Sequence, residues 1–148
     1  MTAITTPAAP TPPASETRPA PRRSASGRLW KTGMGAGVVA SVATFAVAAA
    51  ASGLGVPIEI GGKAIPLAGF SQLTFVGALI GTILAVVLSR RATRPRRTFL
   101  VTTIALTALS IVPDVLADAH TATRFTLALT HIVAAAIVIP ALASRMTD

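Results

Sequence analysis

At 148 residues the chain has room for one domain, and 52% hydrophobic against 12% charged residues give it a mean hydropathy of +0.70. Soluble domains carry about 25% charged residues, so a water-facing globule is excluded. The net charge of +8 suggests nucleic acid at first. The basic residues border apolar runs and build no basic face, however, which argues against DNA or RNA as a partner. The absence of cysteine removes disulfides, thiol redox chemistry and cysteine metal sites together. Asn and Tyr are also missing and only Lys31 and Lys63 are lysines, a bias that fits a high-GC bacterial genome.

Residues 1–28 are mostly Pro, Ala, Thr and Ser with scattered arginine and cannot bury enough surface to offset ordering, so they read as a disordered tail. The tail ends in a collar of Arg22, Arg23, Arg28 and Lys31, suited to anionic cytoplasmic headgroups. Residues 29–148 read as a four-helix transmembrane domain. The first apolar run, about 32–54, exceeds the roughly 20 residues that span a bilayer. A signal peptide with a cleavage site near Ala48–Gly53 is the competing reading. The run is longer than an ordinary signal core, which favours a retained helix.

Residues 55–69 then lie outside the membrane. Val56–Ile60 and Lys63–Leu67, joined by Gly61-Gly62, predict a small β-hairpin. Glu59 and Lys63 are placed to face each other across it. Two short strands are marginal alone, so the hairpin is expected to rest on the helix ends as a lid.

A second helix is predicted over 70–89. The run from Arg90 to Arg97 follows, with Arg90, Arg91, Arg94, Arg96 and Arg97 around Pro95. A guanidinium at bilayer depth costs about 3 kcal/mol or more, so both flanking helices must leave the membrane here. The positive-inside rule makes this side the cytoplasm and gives the arginines a headgroup-binding and topology role. A third helix covers about 98–114 and a fourth about 123–143, and a polar outer turn holds Asp114, Asp118, His120 and Arg124. Eleven of the thirteen Lys and Arg residues then fall inside, leaving Lys63 and Arg124 outside. The expected architecture is an all-α antiparallel four-helix membrane bundle in the cytoplasmic membrane. Both termini are cytoplasmic, and an extracytoplasmic β-hairpin joins the first two helices.

Membrane helices associate through small and polar residues, and each predicted helix carries such a stripe. The stripes are Gly33, Gly37, Ser41, Thr44, Ala48 and Ser52; then Thr74, Gly77, Gly81 and Ala85; then Thr103, Thr107, Ser110 and Asp114; then Thr123, Thr130, His131, Ala134 and Ala135. Leu100, Ile104, Ile132, Val133 and Ile139 are expected to face lipid. The Gly77-x-x-x-Gly81 pair packs within the chain or, alternatively, joins two copies as a homo-oligomer.

His131 and Asp114 are the two ionisable residues in or at the edge of the apolar region. His131 sits about 12 Å below the outer end at ~1.5 Å per residue, level with Thr107 and Gly77. Two roles fit it: a neutral imidazole bonded to Thr107, or a proton relay. Relay chains need further deep carboxylates, which favours the first. No nucleophile motif, paired-histidine motif or phosphate loop is present. Asp114, Asp118 and His120 have metal-ligand chemistry but read more simply as solvated, so no metal or cofactor is expected.

Ser110-Ile-Val-Pro113 and the run Thr130-His131-Ile-Val-Ala-Ala-Ala-Ile-Val-Ile-Pro140-Ala-Leu142 resemble an uncharacterised family of small actinobacterial four-helix membrane proteins. The basic loop and glycine-bearing second helix fit it too, so the resemblance spans Trp30 to Arg145. It implies the same fold and location and no particular chemistry, although some members carry an envelope label. Two functions remain in view. One is a structural or accessory protein of the cell envelope, partnered by lipid or another membrane protein. The other is a small-solute or proton-linked transporter acting as an oligomer with His131 in its path. An enzyme fits least.

Overall fold

The computed structural model describes residues 23–148. Its elements are α1 (Arg23–Gly53), β1 (Glu59–Ile60), β2 (Lys63–Ala64), α2 (Leu67–Arg91), α3 (Pro95–Leu116) and α4 (Thr121–Ala143). The helices have 31, 25, 22 and 23 residues, and all four are long and apolar enough to cross a membrane. Most of the predicted tail, residues 1–22, lies outside the described residues. The helix is already formed at Arg23, ahead of the predicted boundary at 29.

Helix ends extend past the expected limits where arginines and Pro95 sit. Arginine is a good helix former, and Pro at the first helical position loses no bond that the helix would have made. The connection after α2 therefore shrinks to Ala92–Arg94. Arg90 and Arg91 occupy the last turn of α2, where the helix dipole favours cations. Arg96 and Arg97 occupy the first turn of α3, where it does not. Asp148 offsets that, because its Oδ1 accepts the backbone N–H groups of Arg96 (2.9 Å) and Arg97 (3.2 Å).

Successive helices run in opposite directions. Arg90, at the end of α2, bonds Ser26 near the start of α1 at 3.0 Å, and Asp148, beyond α4, caps the start of α3. At the other end Thr123 of α4 donates to the carbonyl of Pro57, between α1 and α2. α1 packs on α2 and α4, α3 packs mainly on α4, and α1 and α3 occupy opposite corners.

The tightest seam joins α1 to α2. A Cβ on Gly33 would run into the Thr82 side chain, and one on Gly37 would stand 3.1 Å from the Ala78 methyl. Farther along, the hydroxyls of Thr44 and Thr74 lie 3.0 Å apart. The face of α2 toward α1 is thus Thr74, Ala78, Thr82 and Ala85. Thr74 and Ala85 are where the stripe predicts them. Gly77 and Gly81 are not, since one residue of helix turns the face by about 100°. Neither would meet any atom within 4 Å of an added Cβ.

Large side chains fill the arginine end: Leu29, Phe99 and Leu142 are fully buried, with Ala85, Val138 and Met146 beside them. Leu100 packs against this cluster rather than facing lipid. Val42, Leu73, Val101, Ile104, Leu109 and Ile132 lie on the outer surface, as expected where the surrounding solvent is hydrocarbon.

At the opposite end the two strands pair antiparallel, Glu59 with Ala64 and Ile60 with Lys63, around a turn in which Gly61 and Gly62 both have positive φ (57° and 72°). This is the geometry that makes glycine the residue of choice in a two-residue hairpin. The predicted Glu59–Lys63 pairing is off by one register step. Glu59 instead comes within 3.9 Å of His120. The hairpin is docked: the Gly61 N–H donates to the Asp118 carbonyl at 2.8 Å.

Candidate functional site

Between α2, α3 and α4 lies a laterally open cleft of about 660 Å³. The hydrophobic plug closes it at the arginine end, where Phe99 and Val138 reach its wall, while Ile60 and Ile65 of the hairpin segment cover the other end. Gly77, Gly81, Ala134 and Ala135 line it, and their small size is what leaves the space open. Ile139, expected to face lipid, lines it as well.

Asp114 and His131 stand in the wall of this cleft, with His131 Nδ1 2.7 Å from Asp114 Oδ2. The carboxylate had been expected in the polar turn. Instead α3 continues through Pro113 to Leu116 and swings Asp114 inward to 8% exposure. A proline in the last turn removes only one terminal hydrogen bond, so the helix tolerates it. The two residues meet although Asp114 is two positions from the end of α3 and His131 ten from the start of α4. Side chains lean toward the N-terminus of their own helix, and on antiparallel helices these two lean toward one another.

His131 does not bond Thr107. Thr107 donates to the Thr103 carbonyl at 2.9 Å, and the second neighbour of His131 Nδ1 is the Leu127 carbonyl at 3.2 Å. The carbonyl lies along the N–H direction and the carboxylate oxygen to one side of it. With acceptors on both sides, Nδ1 is placed to donate. Among the described residues Nε2 has no partner and is not buried, and the same holds for Asp114 Oδ1.

The hydroxyls around the cleft are spent on their own helices. Thr103 donates to Phe99, Ser110 to Thr107 and Thr130 to Leu127, all to carbonyls three or four residues earlier. Such back-bonding satisfies a hydroxyl without reaching another helix. The Thr-rich stripes therefore supply little interhelical bonding, and Thr44–Thr74 is the one hydroxyl pair between helices among the described residues. Arg124 lies on the His131 face of α4, seven residues earlier, and its buried Nε has no partner among the described residues.

The other candidate residues separate. Asp114 turns to His131 while His120 turns to Glu59, and no group of three metal-ligating side chains forms among the described residues. Arg90, Arg91, Arg94, Arg96 and Arg97 are all exposed at the opposite end. The Asp114–His131 contact, which sequence reasoning missed, had one signal: Asp114 continues the Thr103, Thr107, Ser110 spacing and so had to share their face.

Four long apolar helices around a side-opening cleft define a multi-pass integral membrane protein. The chain matches the family of unknown function DUF6069 over residues 24–148 and belongs to it. No curated protein and no solved structure matches the chain.

Proposed function

We propose that this protein is a non-catalytic accessory protein of the cytoplasmic membrane, acting in the cell envelope with both termini in the cytoplasm. The observation that carries this reading is the plug of Leu29, Phe99, Leu142 and Met146 at the arginine end. A through-path for solute needs space at both ends of the bundle, and here the cleft opens sideways. The eleven-to-two bias of Lys and Arg supports the orientation. The Arg- and Ala-rich composition supports the actinobacterial range implied by the sequence resemblance. Lipid headgroups at the arginine end and a membrane protein or second copy along the helices are its partners.

A proton-linked transporter is the second reading, and one observation favours it: the Asp114–His131 pair inside the cleft. Purified protein in liposomes loaded with a pH-sensitive dye separates the two. An accessory protein leaves an imposed pH gradient unchanged relative to empty liposomes, whereas dissipation that His131→Phe abolishes would establish transport.

A further inference from the structure

We infer that the cleft between α2, α3 and α4 is a binding site for an amphiphile with a primary ammonium head and an apolar body. Its volume of about 660 Å³ falls within the range of small-molecule sites, roughly 300–1,000 Å³. Most of its wall is apolar, and it opens to where a membrane-dissolved ligand would arrive.

The polar atoms of the site select the head group. The Asp114 side chain is 11% exposed and lines the cleft, and among the described residues its Oδ1 has no partner and remains accessible. Beside it His131 Nε2 is open, with no partner among the described residues. Thr103, Thr107, Ser110 and Thr130 give their hydrogens to carbonyls of their own helices and present only lone pairs. These four hydroxyls and Asp114 Oδ1 thus face the cleft as acceptors. A head group rich in N–H donors complements such a wall, and a carbonyl or phosphate does not. The charge points the same way. An ammonium brings a positive charge as well as three N–H donors to the Asp114 carboxyl group in the cleft wall, and a neutral alcohol does not.

This inference goes beyond the accessory role and does not depend on it: proton flux in liposomes would overturn that role and leave the binding site standing. A second depression, about 510 Å³ on the outer face of α1 and α2, is shallow and almost wholly apolar, so lipid chains suffice to fill it.

The test uses the full chain in lipid nanodiscs and a dodecylammonium probe carrying a diazirine. A methyl ether of the same length, with neither charge nor donor, serves as the comparison. The expected result is saturable labelling of α2, α3 and α4, with the ammonium at least tenfold more effective than the ether. Asp114→Asn should weaken it about tenfold, the effect of one lost charged hydrogen bond. Gly77→Leu keeps Asp114 and His131 in place and fills open space, and should also abolish the labelling. Equal labelling by the two probes would show ordinary lipid occupancy and overturn the inference. Labelling that survives Gly77→Leu would place the probe elsewhere and overturn it too.

Discussion

Asp114 and His131 face each other at 2.7 Å across the α3–α4 interface, and the imidazole meets the carboxylate through Nδ1. The choice of nitrogen makes the contact testable, because Asn and Gln mimic different ring atoms. The amide nitrogen of Asn sits as far along the side chain as Nδ1, whereas that of Gln reaches the Nε2 position. His131→Ala should lower thermal stability in detergent by about 0.6 kcal/mol and by no more than about 1.7, the range of interhelical polar contacts in membranes. His131→Asn should recover most of this loss and His131→Gln little of it. The double variant Asp114→Ala/His131→Ala should be no less stable than the worse single variant, since each single one already breaks the pair.

Gly33 and Gly77 should respond oppositely to a methyl group. Thr82 is β-branched, and its hydroxyl is held by the Ala78 carbonyl at 2.7 Å, so it cannot swing away from a new Cβ on Gly33. Gly33→Ala should destabilise by about 1–3 kcal/mol, and adding Thr82→Ala should relieve most of that. Gly77→Ala meets no atom within 4 Å, and replacing a helix-interior glycine should stabilise by up to about 1 kcal/mol. Unfolding midpoints of these three variants against the parent protein decide the matter.

How the hairpin is held can be read by proteolysis. Thr123, fully buried, ties α4 to the Pro57 carbonyl, and Gly61 ties the turn to Asp118. Thr123→Val leaves that carbonyl without its donor and should loosen the hairpin. Trypsin should then cut after the exposed Lys63 several times faster than in the parent protein. An unchanged rate would mean that the backbone bond to Asp118 is sufficient.

The carboxylate of Asp148 on the first turn of α3 predicts a salt-sensitive loss. Asp148→Ala removes an anion from a helix N-terminus crowded with arginines. The expected cost is about 0.3–1 kcal/mol at low ionic strength, shrinking as salt is added, because the site is exposed.

Hydropathy and charge made the helices legible in the sequence, because about 20 apolar residues bounded by arginine have few other uses. Most of the α1 stripe was legible too: Gly33, Gly37, Ser41, Thr44 and Ala48 are buried, while Ser52, at the end of the helix, is exposed. The face of α2 was not. Gly77 and Gly81 carry the familiar small-residue spacing, but so do Ala78 and Thr82, and only the packing against Gly33 and Gly37 decides which pair turns inward. His131 was given the wrong partner. Depth counted along helices of equal register pairs it with Thr107. The contact with Asp114 depends on α3 running on through Pro113 and on side chains that lean toward each other, which a count along the axis leaves out.

Four membrane crossings with the arginine end in the cytoplasm are the claim on which everything else stands, and the cysteine-free chain lets it be tested directly. Single cysteines at Lys63, Thr93 and Thr147, all exposed positions outside the apolar spans, would be challenged in intact spheroplasts with a membrane-impermeant maleimide. The account predicts rapid labelling of Lys63→Cys, and protection of Thr93→Cys and Thr147→Cys until the membrane is opened by detergent. Labelling of Thr93→Cys in sealed spheroplasts would contradict it.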